Sequence, residues 1–174
     1  MTYKNCDVHI LLINGPNMNV LERREKDLYL GISLKEIIGK MKKKAKRIGV
    51  SLTFFQSNAE HEIVDLIHSS YKNIDFILIN PGAFAHTSIA LRDAMLSSAV
   101  PFYEIHVTNI YSRESFRKKS YLSDIAEGVI CGFYGQGYIY ALEAAVNFLS
   151  IRGSLSMKKN TETRDGYPKN KKNH

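Results

Sequence analysis

Residues 76–98 read FILINPGAFAHTSIALRDAMLSS, and this stretch predicts the fold. It opens with an uninterrupted apolar run over residues 76–79, whose length fits a strand buried on both faces. A loop containing Pro81 and Gly82 follows, and residues 87–97 then have the spacing of a helix. A buried strand joined to a helix by a loop is the unit from which parallel sheets are built, so we expect a parallel α/β sheet.

The same alternation continues on both sides of this unit. Four further apolar runs of strand length occur at residues 8–13, 50–55, 102–107 and 129–133. Three further helical patterns occur at 34–48, opened by a Ser33–Glu36 capping box, at 59–69, opened by Ser57 or Asn58, and at 138–149. This order predicts a flavodoxin-like three-layer α/β fold, with a five-stranded parallel sheet of order 2-1-3-4-5 and helices on both faces. Residues 1–150 then form a single domain.

The chain has 174 residues, 44% of them hydrophobic and 24% charged, which is typical of one globular domain. Its apolar runs are far shorter than the roughly 20 residues of a membrane-spanning helix, and the first seven residues lack a secretory-signal pattern. We therefore expect a cytoplasmic protein without membrane association. Cys6 and Cys131 form no close pair, which favours free thiols over a metal cluster.

The net charge of +7 would suit nucleic-acid binding, but the charges are unevenly placed. Residues 151–174 contain seven basic and two acidic residues, so five of the seven net charges lie there. That segment is poor in large apolar residues, and we expect a disordered basic tail. A second basic cluster at 40–47 is typical of a solvated helix face. Salt-sensitive binding of nucleic acid through these two segments is the weakest functional hypothesis.

In an open parallel sheet, ligands bind beyond the carboxyl ends of the strands, where three loops are predicted: 14–30, 80–87 and 106–117. The first is long enough for a lid, although an Asn-Gly-Pro turn with solvated charges fits it equally well. In the second, Gly82 permits close approach of backbone to a ligand, and the following helix start offers free N–H groups. His86 either donates to a ligand oxygen or serves as a capping or surface histidine.

Glu104 and His106 lie two positions apart in the fourth predicted strand. Alternation places both side chains on one face, so the carboxylate can orient the imidazole for proton transfer. The alternative is a neutral pair in the core. Arg113 and Arg117 follow, and a spacing of four puts them on one helical face. They suit a carboxylate or enolate ligand, or form a solvent-facing basic pair.

Acid and base chemistry on a small anion is the reaction class that these residues favour. The three loops carry no carboxylate pair or Cys and His cluster of the kind that holds a metal. A nucleophile-elbow sequence and a dinucleotide fingerprint are also lacking. Tyr29 has an ordinary pKa of about 10, but a neighbouring Arg24 would favour its phenolate and make it a usable base.

At these residues the chain resembles the type II 3-dehydroquinate dehydratases, over about residues 8–149. The matching stretches are NGPN at 14–17, Arg24, Tyr29, QSNAE at 56–60, INPGAFAHTS at 79–88, ALRD at 90–93, EIHVTN at 104–109, Arg113, Phe116, Arg117 and SY at 120–121. Four positions differ from the usual family pattern, namely Glu22, Lys26, Leu30 and His61. Three of them lie in the predicted lid, where we expect an effect on closure and rate.

The resemblance implies an anti elimination of water from 3-dehydroquinate to 3-dehydroshikimate, a step towards chorismate and the aromatic amino acids. By analogy, Tyr29 removes the C2 proton and gives an enolate, while Arg24 keeps the tyrosine ionised and the lid closed. Asn17 helps to position a water that stabilises the enolate. His106, oriented by Glu104, protonates the departing C1 hydroxyl.

The resemblance also implies the substrate site and the assembly. The predicted substrate-binding residues are Asn80, Gly82, Ala83, His86, Asp93, Val107, Thr108, Arg113 and Arg117. Family members form trimers grouped into a dodecamer, with Asp93 matching a residue that a neighbouring subunit contributes. Neither a cofactor, nor a metal, nor a lysine Schiff base is implied. The alternative hypothesis is a catalytically idle protein that binds a small anion or serves assembly; the altered lid residues favour it.

Overall fold

The computed structural model describes residues 8–24 and 30–162 and contains one five-stranded parallel sheet. Its strands are β1 (His9–Asn14), β2 (Ser51–Gln56), β3 (Phe76–Asn80), β4 (Phe102–His106) and β5 (Gly128–Cys131). They lie side by side in the order β2-β1-β3-β4-β5, and every neighbouring pair is parallel. The predicted strands and their order are confirmed, and each predicted boundary lies within two residues of the observed one.

In the described part of the chain, four α-helices cover the sheet in two layers: α1 (Leu34–Ile48), α2 (Glu60–Ser70), α3 (Ile89–Ser98) and α4 (Gln136–Glu162). One core cluster joins the sheet to α1 and α4, and a second joins the opposite face to α2 and α3. The predicted three-layer arrangement is therefore confirmed. β1 and β3 are central and almost completely buried, which explains why their sequences are continuous apolar runs.

The predicted capping box of α1 is present. The Ser33 hydroxyl accepts from the Glu36 N–H at 3.2 Å, and the Glu36 carboxylate accepts from the Ser33 N–H at 3.4 Å. The prediction that Ser57 or Asn58 caps α2 is wrong, because the cap position is Ala59. The Ser57 hydroxyl instead accepts from the Ala59 N–H at 2.9 Å, just before the helix.

The last helix also differs from the prediction. α4 continues to Glu162, whereas the sequence pattern places its end near residue 149. Residues 151–162 are therefore helical, in a segment predicted to be a disordered tail. Once a helix is nucleated, each further residue adds one hydrogen bond, and no proline interrupts this stretch. The rest of the predicted tail lies outside the described residues.

The sheet places the ends of its two central strands beside each other. Asn14 ends β1 and Asn80 ends β3, and the two residues are paired in register. β1 has β2 on its other side, so the chain reverses its strand order between β1 and β3. A ligand crevice is expected at such a switch point. None of the described helices combines the length and the apolar character that crossing a membrane requires.

Candidate active site

A pocket opens at the carboxyl edge of the sheet, above β1, β3 and β4. Its walls come from the three loops that the sequence analysis singled out. The lining residues are Pro16, Asn17, Met18, Arg24, Asn80, Gly82, Ala83, His86, His106, Val107, Thr108, Ile110, Arg113 and Arg117. Eleven of the predicted site residues are among them.

Of the other three predicted site residues, two do not line this pocket and the third is not among the described residues. Glu104 lies beneath His106 and does not line the pocket, as expected for an orienting group. Asp93 is exposed on α3 and does not contribute to the pocket of its own chain. Tyr29 lies outside the described residues. The sequence analysis did not assign Pro16, Met18 and Ile110 to the site, three apolar residues whose position in the loops was the available signal.

The carboxylate of Glu104 and the imidazole of His106 form a buried pair. His106 Nε2 lies 2.7 Å from Glu104 Oε1, and the two residues share one face of β4 as alternation predicts. Glu104 is completely buried, and it also accepts from the hydroxyls of Ser120, at 2.7 Å, and Ser123. Three donors thus surround one carboxylate. Of these three, the sequence alone assigned only His106 to Glu104.

The environment of Glu104 favours its ionised form. Burial by itself raises the pKa of the carboxyl, but the hydrogen bond and charge of His106 and the two serine hydroxyls outweigh it and hold the pKa below its ordinary value. An ionised carboxylate can only accept, so Nε2 of His106 carries a proton. The remaining ring nitrogen, Nδ1, is the one available to a ligand in the pocket.

The imidazole of His86 lies next to that of His106, with ring centroids 6.2 Å apart and planes inclined by 15°. Its Nδ1 lies 2.7 Å from the Lys119 carbonyl oxygen, which can only accept, so Nδ1 is protonated and Nε2 is left for a ligand. Burial lowers the pKa of His86, and the neighbouring His106 and Arg117 lower it further. The Lys119 hydrogen bond opposes this effect. His86 is thus suited to binding as a neutral ring.

Arg113 and Arg117 both reach the pocket, but not from one helical face as predicted. Arg117 lies in the second of two short 3₁₀ turns, Ile110–Ser112 and Ser115–Lys118, and Arg113 has extended backbone between the two turns. The carboxylate of Glu114 brings the two guanidinium groups together, because its Oε2 lies 2.9 Å from Nε of Arg117 and 3.4 Å from Nε of Arg113. Two cationic side chains at one wall suit an anionic ligand.

Two glycines let the first and second loops touch. The Gly15 N–H donates to the Asn80 carbonyl at 2.8 Å, and a Cβ on Gly15 would lie 2.3 Å from the Pro81 carbonyl oxygen. Gly82 has φ of +57°, a conformation that favours glycine. The first loop is further fixed by Asn58, whose side-chain oxygen accepts from the Asn17 N–H at 2.8 Å. The backbone beside the pocket is therefore held by specific contacts.

The pocket contains side chains suited to proton transfer and to anion binding. Within residues 8–24 and 30–162, no three His, Cys, Asp or Glu side chains are grouped so that they could hold a metal ion. Cys131 is a free thiol whose pKa is raised by burial. The arrangement can deliver a proton from an imidazole to an anion held by arginines.

The comparison with known proteins identifies the family. Residues 8–146 match the model of the family described as dehydroquinase class II. This chain belongs to that family. The matched span contains every residue predicted for the site.

Several relatives of this class II dehydroquinase bear the name 3-dehydroquinate dehydratase. The protein from Proteus mirabilis is 57% identical over 142 residues, which cover 82% of this chain and 97% of the relative. The protein from Colwellia psychrerythraea is 55% identical over 141 residues, which cover 81% of this chain and 92% of the relative. The match therefore includes nearly the whole length of both relatives.

Solved structures show the same fold. The type II dehydroquinase from Butyrivibrio crossotus superposes with a TM-score of 0.78 at 37% identity, covering 80% of this chain and 97% of that structure. The type II dehydroquinase from Propionibacterium acnes gives a TM-score of 0.76 at 29% identity, covering 82% of this chain and 99% of that structure. The five-stranded sheet and its helices are thus those of class II dehydroquinases.

Proposed function

We propose that this class II dehydroquinase is a 3-dehydroquinate dehydratase, a hydro-lyase of the shikimate pathway. The observation that carries the proposal is the buried Glu104–His106 pair, which presents Nδ1 of His106 to a pocket lined by Arg113 and Arg117. The shared name of relatives at 55–57% identity supports the same reaction. The substrate is an anion, which agrees with the charge of the pocket.

His106 acts as the general acid. Its Nε2 proton is held by Glu104, so the proton that leaves comes from Nδ1 of the protonated ring. The negative charge of Glu104 stabilises that protonated ring. The C1 hydroxyl of the substrate takes the proton and departs as water with the C–O bonding electrons.

The base is assigned to Tyr29 on the family resemblance, since this residue lies outside the described part of the chain. Its phenolate takes the C2 proton, and the electron pair of the C–H bond moves into an enolate with the adjacent ketone. Arg24, which lines the pocket, stabilises the phenolate, and Asn17 orients a water against the enolate oxygen. Collapse of the enolate then expels the hydroxyl and forms the C1–C2 double bond.

The substrate is held by groups on all three loops. The arginines and the segment of Val107 and Thr108 bind its carboxylate, the latter through backbone N–H groups. Asn80 and His86 bind its hydroxyls, and Gly82 and Ala83 let the loop approach closely. All of these residues line the pocket. The carbonyl of Val107 accepts from the Tyr134 N–H at 2.8 Å, which fixes this segment against the end of β5.

We propose that the chain forms trimers grouped into a dodecamer, in which Asp93 completes the site of a neighbouring subunit. Asp93 is exposed and lies outside the pocket of its own chain, as such a role requires. Ile89 and Leu96 on the same helix are 58% and 54% exposed, so α3 presents apolar surface beside it. Sedimentation velocity of the purified protein measures the mass of the assembly, and a monomer would contradict this proposal.

The test of the reaction is direct. Purified protein is mixed with 3-dehydroquinate, and the ultraviolet absorbance of the conjugated enone of 3-dehydroshikimate is followed. We expect a rise that a metal chelator and borohydride leave unchanged, because neither a metal nor a Schiff base takes part. Tyr29→Phe should lose roughly 10²- to 10⁴-fold in kcat while binding substrate nearly normally. No absorbance rise from an assembled protein would contradict the proposal and favour an idle anion-binding protein.

A further inference from the structure

The hydroxyl of Tyr138 lies completely buried under the floor of the pocket and joins the ends of the two central strands. It donates to Oδ1 of Asn14 at 2.7 Å and accepts from Nδ2 of Asn80 at 2.7 Å. Asn14 and Asn80 are paired in register at the ends of β1 and β3, and both are buried. A side chain of α4 thus ties together the two strands that flank the switch point.

The direction of these hydrogen bonds is fixed by one backbone group. The Gly82 N–H can only donate, and it donates to Oδ1 of Asn80 at 3.2 Å. The amide nitrogen of Asn80 must therefore face the other way, towards Tyr138, whose oxygen accepts. The tyrosine proton is then directed to Oδ1 of Asn14. Within the described residues Nδ2 of Asn14, which faces away from the tyrosine, has no partner.

We infer that Tyr138 is a positioning residue for Asn80, and this inference rests on the proposed function because Asn80 is a substrate-binding residue there. Without the tyrosine hydroxyl, Nδ2 of Asn80 would keep only a weak acceptor, the sulfur of Met18 at 3.6 Å. A buried amide group that has lost its partner turns to find another one. The Asn80 amide would then no longer hold the Gly82 N–H and meet the substrate in one orientation.

Tyr138→Phe removes the hydroxyl and keeps the ring in the core. We expect KM for 3-dehydroquinate to rise about five- to tenfold, with kcat within about threefold of the wild type, because Asn80 contacts the substrate but does not transfer a proton. Tyr140→Phe is the matched control, since Tyr140 lies on the same helix and is 44% exposed. A purely structural role of Tyr138 would lower the melting temperature and leave KM unchanged, which would overturn the inference.

A double-mutant cycle tests whether Tyr138 acts through Asn80. If it does, Tyr138→Phe has little further effect on KM in an Asn80→Ala background. Independent losses whose fold-changes multiply would overturn the inference. Because KM is measured from turnover, this cycle presupposes the dehydratase reaction.

Hydrogen exchange of the Asn80 side-chain amide, followed by NMR, decides the same question without turnover. In the wild type we expect the Asn80 amide protons to exchange at least tenfold more slowly than those of Asn147, which is exposed on α4. In Tyr138→Phe this protection should be lost. Equal exchange rates of the two amides in the wild type would overturn the inference even if the variant does not fold. Absence of dehydratase activity in the wild type would contradict the proposed function alone.

Discussion

Glu104→Gln tests how much the buried carboxylate contributes to the acid. Glu104 is completely buried and accepts from Nε2 of His106 at 2.7 Å and from two serine hydroxyls. Glutamine has nearly the same shape, and a serine hydroxyl can turn to accept from its amide, so the fold should be kept. A hydrogen bond to a charged group contributes roughly 1.5–3 kcal/mol, and two charges about 4 Å apart near a protein surface interact by about 4 kcal/mol.

Loss of the Glu104 charge should therefore raise the barrier to proton delivery by roughly 1.5–4 kcal/mol in the variant. Because about 1.4 kcal/mol corresponds to a factor of ten, we expect kcat to fall roughly tenfold to several hundredfold. KM should stay within about threefold, since Glu104 does not line the pocket. The effect appears in kcat because the proton is delivered only in the transition state.

The assay is the enone absorbance measured from about pH 5 to pH 9 at several substrate concentrations. Glu143→Gln is the control, since it makes the same change at an exposed ion pair with Lys44, away from the pocket. A kcat for Glu104→Gln within about threefold of the wild type over this range would refute the reasoning. It would mean that the carboxylate only fills space beneath the imidazole.

Three further predictions concern packing, binding and pH. Gly15→Ala should lower the unfolding free energy by about 1–3 kcal/mol in thermal melts, because its Cβ would lie 2.3 Å from the Pro81 carbonyl oxygen. Gly39→Ala in α1 is the control: its Cβ would meet nothing within 4 Å, so this variant should raise the unfolding free energy by about 0.5–1 kcal/mol. Arg117→Lys keeps the positive charge but loses the planar guanidinium group, so KM should rise several-fold while kcat falls less. An unchanged KM would mean that the carboxylate of the substrate does not bind to Arg117. Folding lowers the pKa of Glu104, so its ionised form stabilises the protein at pH values above the ordinary carboxyl pKa of 4.5. This contribution to stability is lost as the pH falls. Denaturant melts should thus show the wild type losing stability relative to Glu104→Gln below about pH 4.5, and parallel curves would contradict this.

The sheet and most of the pocket could be predicted because each depends on a local pattern. Residues 76–79 and 8–13 are apolar runs that belong to central strands, and alternation in β4 is enough to place Glu104 and His106 together. The loops after parallel strands share one edge, so their polar residues meet without any knowledge of packing. Predicting these features requires only the two-residue period of a strand and the rule that ligand sites lie beyond the carboxyl ends of parallel strands.

Contacts between distant segments could not be predicted in this way. Tyr138 fits the apolar stripe of its helix, and nothing in that stripe indicates hydroxyl partners 124 and 58 residues away. Ser123 similarly donates to Glu104 from an irregular segment without periodicity. Arg113 was predicted on a helix because its spacing from Arg117 permits one, but short 3₁₀ turns leave no periodic signal. Such contacts depend on how the loops fold back on the sheet.

In the proposed reaction, the burial of Glu104 determines the route by which His106 regains its proton. This carboxylate holds the inner nitrogen of His106, and the imidazole itself is only 5% exposed. A proton given to the departing hydroxyl must be replaced through the same ring nitrogen, from the pocket side. Slow product release would therefore delay the next turnover in two ways. The product occupies the binding site, and it blocks the access of solvent protons to the deprotonated imidazole.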